Sequence, residues 1–299
     1  MLARIYAFIM AAFTSLALLG PLTPVTDLSA EKKPVFSSSA EVTIMTYNVK
    51  VSGVGKYKPA KRAPYVTDNV LRNAPDSIGF EEVSEDWYEW LREGLGEKYA
   101  WTGEARNGDG TGEASPVFYN KAKYKCTKSG TFWLSETPDT ASKGWDAMYK
   151  RVCTYAVLVN KRTGFTYAHF NAHFDHIGIK ARSESVALVT KMINEICPGI
   201  PVVFSGDLND DEGSAMYDRI IESGLRDSKF IAGKSEDTGT YHGYSALTEK
   251  MRVKPIDFIF VNDYCKKVKS YEVLTEKYNG IYTSDHHPLK VVMTLGNTR

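Results

Sequence analysis

The chain has 299 residues, 43% hydrophobic and 24% charged, the composition of an ordinary globular protein with room for one large domain or two small ones. Its formal net charge is +1, and its lysines and arginines form no run. Capture of nucleic acid by overall charge is therefore excluded, and any such partner must be held by a local patch. No internal repeat or heptad pattern marks a solenoid or a coiled coil.

The first residues, MLARIYAFIMAAFTSLALLGPLTP, start basic at Arg4, run apolar to Gly20 and break at Pro21. That order is the order of a secretory signal peptide, and the apolar run is short for a membrane span. The expectation is a signal peptide over 1–30, cleaved near 20–30, then a polar linker over 31–40 and a folded domain over 41–299. The mature protein would be secreted or extracytoplasmic, without stable membrane association, and a monomer. An uncleaved anchor is the alternative.

EVTIMTYNVK alternates and is β-rich, so it predicts the first strand, and KPAKRAPYVTDNVLRNA carries Val66, Val70 and Leu71 at helical spacing. PDSIGFEEV returns to strand. SEDWYEWLREGLG has a Ser N-cap, acids in its first turn and a glycine stop, which makes it a helix. YAWTGE, SPVFYN, YKCTKSGTFWL, RVCTYAVLVN and FTYAHFNAHF follow as successive strands. KARSESVALVTKMINEIC is a long amphipathic helix, VVF a buried strand, and GSAMYDRIIESG a helix; IDFIFVN, SYEVLT and PLKVVMTL close the chain as strands. Helices paired with strands at both ends, around a β-rich middle, imply an α/β domain with more than one sheet. Cys126, Cys153, Cys197 and Cys265 lack metal-ligand spacing, and their even number permits disulfides in an exported protein. Cys126 and Cys153 both lie in the β-rich middle and are the expected pair.

Polar residues that strand patterning leaves unexplained recur where strands end. They are Asn48 in TYNVK, Glu81 and Glu82 in GFEEV, His173 in NAHFDH, Asp207 and Asn209 in VVFSGDLND, Asp257 in IDFIF, and Asp285 and His286 in SDHHP. In α/β sheets ligands bind at the strands' carboxyl ends. Carboxylates crowded there repel unless a cation sits among them, and a metal ion meets that need. The GD-x-x-D spacing of Asp207 and Asp210, with His173 and His176, also fits two-metal metallophosphoesterases. The D-x-H and G-N-H-[DE] blocks of that class do not occur.

TYNV, PDSIGFEEV, NAHFDHIGIKAR, SGDLN, IDFIF and SDHHPL stand in the order of the endonuclease/exonuclease/phosphatase superfamily, which the chain resembles from about Glu41 to Leu295. The resemblance implies a four-layer α/β/β/α fold, a two-sheet β-sandwich flanked by helices. It implies Mg²⁺ or Mn²⁺ held mainly by Glu82, with Asn48 and Asp285 as further metal-site residues. Asp207 and Asn209 would hold the phosphate, His286 would be oriented by Asp257, and His173 would face it across the phosphate. Glu113 matches the partner of that second histidine in the deoxyribonuclease branch, and Arg151 matches an arginine on the phosphate. One departure is Glu81, where the family usually has Gln. The implied function is a secreted metal-dependent hydrolase of a small or nucleotide-like phosphate ester, foremost a phosphodiesterase. A nuclease on DNA or RNA, which the charge does not favour, and an inactive binding module of the same fold are the alternatives. No arginine-rich loop of the deoxyribonuclease kind is present; GEARNGDGTGE offers Arg106 alone.

Overall fold

A computed structural model describes residues 36–235, 237–251 and 254–297. The expected signal peptide lies outside the described residues. In chain order the elements are β1 (Ser39–Asn48), a 3-10 turn (Gly55–Tyr57), α1 (Pro59–Asn73), β2 (Ser77–Glu81), α2 (Glu85–Leu95), β3 (Tyr99–Thr102) and β4 (Val117–Asn120). There follow β5 (Tyr124–Trp133), β6 (Val152–Asn160), β7 (Thr166–His173), α3 (Ile179–Ile196), β8 (Val202–Asp207), α4 (Ala215–Glu222), β9 (Arg226–Asp227) and α5 (Ser228–Ile231). The chain ends with α6 (Ala246–Met251), β10 (Asp257–Val261), β11 (Cys265–Val273) and β12 (Leu289–Gly296). No helix among the described residues is long and apolar enough to cross a membrane.

The strands form two six-stranded sheets, ordered β11-β12-β1-β2-β4-β3 and β5-β6-β7-β8-β10-β9. Successive residues of the central strands serve different layers, because side chains alternate across a strand. Val42 and Ile44 of β1 join Val203, Ile259 and Val291 between the sheets. Met45 and Tyr47 of β1 pack with Val66 and Val70 of α1 and Trp87 and Leu91 of α2 on the outer face. Phe170, Phe204 and Phe258 meet Val186, Val189 and Ile193 of α3 and Met216 and Ile220 of α4 on the opposite outer face. The result is the α/β/β/α sandwich, with the central strands β2, β8 and β10 buried at every position.

Register sets up one rim. β1 and β2 run parallel, with Asn48 opposite Glu81. β7 and β8 also run parallel, with His173 opposite Asp207. β10 is antiparallel to β8, so its first residue, Asp257, lies opposite Asp207. β12 is antiparallel to β1, which brings the segment before Leu289 to the same end.

The expected Cys126–Cys153 disulfide is absent, and all four cysteines are free thiols. The two strands are neighbours, but Cys126 pairs with Leu158 and Cys153 with Phe132. Six residues of strand separate the two levels, roughly 20 Å, against the roughly 7 Å that a disulfide spans. The first strand starts at Ser39, inside the expected linker. Unreduced protein should therefore label with a thiol reagent at all four cysteines once denatured. In the native state partly exposed Cys126 should react ahead of buried Cys153. Labelling of either that appears only after reduction would show a disulfide.

Candidate active site

Two backbone features bring the rim residues into range. Gly206 has φ 146°, and a Cβ there would stand 1.8 Å from the Ala172 carbonyl oxygen. Only glycine lets the end of β8 lie this close to β7, beside His173. Lys50, Glu82 and Asn209 are non-glycine residues with φ of 58°, 59° and 54°. Left-handed backbone at ordinary residues costs energy and is kept where the surroundings impose it. Here it occurs within two residues of the ends of β1, β2 and β8.

The Asn48 amide joins the sheets. Its Nδ2 donates to Glu82 Oε1 at 3.1 Å and to Asp207 Oδ2 at 2.9 Å, while its Oδ1 accepts from the Lys50 N–H at 2.9 Å. Glu82 Oε2 accepts from the Val51 N–H at 2.8 Å. The Lys50 ammonium lies 3.2 Å from Asp285 Oδ2. Asp207 Oδ1 accepts from the Asn209 N–H, and the Asn209 amide donates to the Phe174 carbonyl. Asp207 thus caps the turn after β8, and Asn209 ties that turn to the end of β7 while lining the pocket.

His286 Nδ1 lies 2.8 Å from Asp257 Oδ2, and its Nε2 lies 3.7 Å from Asp207 Oδ2. Asp207, Asp257 and His286 each offer a ligand-type atom within 4.8 Å of the others, and all three are buried. The short Asp257 contact makes this first of all an oriented imidazole rather than an open chelate. Burial alone would lower the His286 pKa, but Asp257 and Asp207 outweigh it and hold the ring well above the ordinary histidine range. His173, with Nε2 3.6 Å from Asp207 Oδ2, is pushed the other way. Burial, Arg151 and His286 keep it well below that range, hence neutral. Burial, then Asp257, lifts Asp207 to about 7. Glu81 is also fully buried; desolvation, then Asp257, raises its pKa well above the ordinary carboxylate value and so favours its neutral form. A protonated glutamic acid has the shape of glutamine and adds no charge, which reconciles Glu81 with the residue usual at that position.

The pocket over these residues holds about 450 Å³. Its far wall is Arg106, Glu113, Tyr149, Arg151 and His176. Glu113 is hydrogen-bonded to Arg106 at 2.9 Å and not to His173. Burial lifts its pKa above the ordinary value, against the pull of Arg106. Arg151 bonds to Asp175 at 3.4 Å and lies 3.2 Å from His176 Nδ1. Tyr149 stacks on His176, with ring centroids 5.9 Å apart, under Arg106 at 4.9 Å. Asp175 fastens this wall by accepting from the Tyr149, Ile177 and Gly178 N–H groups.

The residues expected to hold metal or do chemistry are therefore on this pocket or within one contact of its lining, whereas Glu81 lies behind it, bonded to Thr46. Asn48 reaches it through Glu82 and Asp207, and Asp257 through His286. Lys50, Tyr149 and Asp175 were not singled out for the site; Tyr241 also lines it and meets His286 edge-on at 4.9 Å. The lysine directly after TYNV and the aspartate of NAHFDH were the signals available.

No protein-family model matches the chain. A solved endonuclease/exonuclease/phosphatase of Bacteroides vulgatus is 32% identical, with a TM-score of 0.81 over 86% of this chain and 99% of that one. The chain belongs to the endonuclease/exonuclease/phosphatase family. A mannosyl-6-phosphatase of Bacteroides thetaiotaomicron is also 32% identical, with a TM-score of 0.78 over 84% of this chain and 99% of that one. An uncharacterized protein of Acanthamoeba polyphaga mimivirus is 24% identical over 79% of this chain and 92% of its own length. The endonuclease/exonuclease/phosphatase fold thus covers nearly the whole described chain.

Asp257 and His286 form one unit in this geometry. His286→Ala should lower turnover about 10³-fold, and Asp257→Asn somewhat less. The double variant should be little worse than His286→Ala alone, with circular dichroism unchanged. Losses that multiply would mean that the two residues act independently.

Proposed function

We propose that the protein is a hydrolase of small phosphate esters that works with Mg²⁺ or Mn²⁺. One observation carries the reading. Three carboxylates (Glu82, Asp207 and Asp285) and two histidines (His173 and His286) line one pocket, with Asp257 behind His286. Glu82 keeps lone pairs on both oxygens beyond its two hydrogen bonds, and hard divalent ions prefer such oxygen donors. Glu82 would hold the ion, with Asn48 orienting it and Asp285 nearby. The bound ion would neutralise charge on the phosphate oxygens.

The chain's own groups supply the rest. Asp257 fixes the His286 Nδ1 proton, so Nε2–H is aimed into the pocket, where it donates to a phosphate oxygen. Asp207, tuned to about 7, is matched to take a proton from water near neutral pH. Neutral His173, beside Asp207, stabilises the phosphate as a hydrogen-bonding partner without adding charge. Arg151 and Arg106 present cations from the opposite wall. Arg106 is held by Glu113 and Tyr149, which favours a small ester over a nucleic-acid groove. The mannosyl-6-phosphatase at 32% identity supports a phosphatase-type reaction, whereas the sequence reading favours a diester. Export, read from the N-terminus, and a monomeric state belong to the same proposal.

Purified protein should hydrolyse p-nitrophenyl phosphate, its bis-ester or both, and the ratio of the two rates ranks monoester against diester. EDTA should abolish the reaction, and Mg²⁺ or Mn²⁺ should restore it. Undiminished turnover in chelator would overturn the metal assignment. No turnover of either ester, or of DNA, with metal present would favour the inactive-module alternative.

A further inference from the structure

Lys50 is absent from the reading above, yet much of the buried framework serves to place it. It follows β1 with φ 58°, a conformation that a side chain disfavours. Its N–H is held by Asn48 Oδ1. Its carbonyl accepts from Arg62 Nη2 at 2.7 Å and Trp87 Nε1 at 3.1 Å. Arg62 is itself 0% exposed. The same guanidinium donates to Val49 O and Thr283 O, each at 2.6 Å. Thr283 lies two residues before Asp285, and Ser284 between them donates to Asn48 O at 2.6 Å. One buried cation therefore ties down the backbone on both sides of the Lys50–Asp285 ion pair.

That is more positioning than a surface salt bridge receives, since long side chains in such pairs are usually mobile and contribute little. The Asp285 side chain is 4% exposed and Lys50 is a third exposed, and both line the pocket beside Glu82. A carboxylate so buried needs a cation. Lysine provides a compact, fixed point charge with no coordination demands.

We propose that Lys50 is a built-in cation that occupies Asp285, so that the site binds a single divalent ion, at Glu82. The inference rests on the metal-dependent reading of the site. Lys50 then takes the place at Asp285 that a second metal ion fills in two-metal phosphoryl-transfer sites. It stays in position whether or not metal is present. It also places a non-exchangeable positive charge on the pocket wall, facing the developing charge of the phosphate.

Metal-free protein titrated with Mn²⁺, with free Mn²⁺ followed by electron paramagnetic resonance, decides the matter without any turnover. The wild type and Lys50→Arg should bind one ion per chain. Lys50→Met, which keeps the stem and removes the charge, should bind two. Adding Asp285→Asn to Lys50→Met should return the count to one. Two ions in the wild type would overturn the inference, as would one ion in folded Lys50→Met. If Lys50→Met does not fold, Lys50→Gln takes its place, with the same expected count of two. No bound Mn²⁺ at all would overturn the metal-dependent reading itself, and the inference with it.

Discussion

The site is organised around one electrostatic constraint: carboxylates from both sheets end at the same rim, where water cannot solvate them fully. Uncompensated charges there would each cost several kcal/mol. Compensation comes from few groups. The Asn48 amide donates to Glu82 and Asp207 together, linking a carboxylate of the first sheet to one of the second. His286 answers Asp257, Lys50 answers Asp285, and burial shifts Glu81 toward its neutral form. What remains on Glu82 and Asp207 is negative potential directed into the pocket. That potential is the reason to look for a cation there and for a phosphate beyond it.

Holding such charges together requires a scaffold that does not relax, and the sandwich supplies one. Asn48, Glu82, His173, Asp207 and Asn209 stand on, or within two residues after, strands buried on both faces. Parallel pairing of β1 with β2 and of β7 with β8 puts four carboxyl ends on one rim. Antiparallel β10 and β12 add the residues that precede or open them. The left-handed backbone at Lys50, Glu82 and Asn209 shows where folding accepts local cost to aim a side chain. Arg62 and Gly206 make two of those turns possible, one by donating to carbonyls and the other by lacking a Cβ.

Much of this was legible in the sequence, for a physical reason. Polar residues such as Asn48, Asp207 and Asp257 sit at the ends of apolar strands, and burial gives them no ordinary purpose there. The long helices and central strands were legible for the same reason, since their periodicity records which faces are covered. β9, α5 and α6 span two, four and six residues, too few for a period to show. The disulfide expectation failed because neighbouring strands fix proximity only when register is known, and register depends on partners distant in sequence. Glu113 was placed in the pocket correctly, but its partner was not: Arg106 lies seven residues away on a glycine-rich loop whose path no pattern encodes. Lys50 was passed over because a lysine after a strand is ordinarily a solvated surface residue. The opposite charge states of His173 and His286 depend on burial and on neighbouring Arg151 and Asp257, so they emerge only in three dimensions.

The central claim is that Glu82, oriented by Asn48, is the seat of a divalent cation and that the Asp207–Asp257–His286 group is left free for proton and phosphate work. Anomalous diffraction from crystals grown with Mn²⁺ tests it most directly. The account predicts an anomalous peak coordinated by the Glu82 carboxylate, with His286 Nδ1 still bonded to Asp257. A peak seated instead among Asp207, Asp257 and His286, with that bond broken, would contradict it.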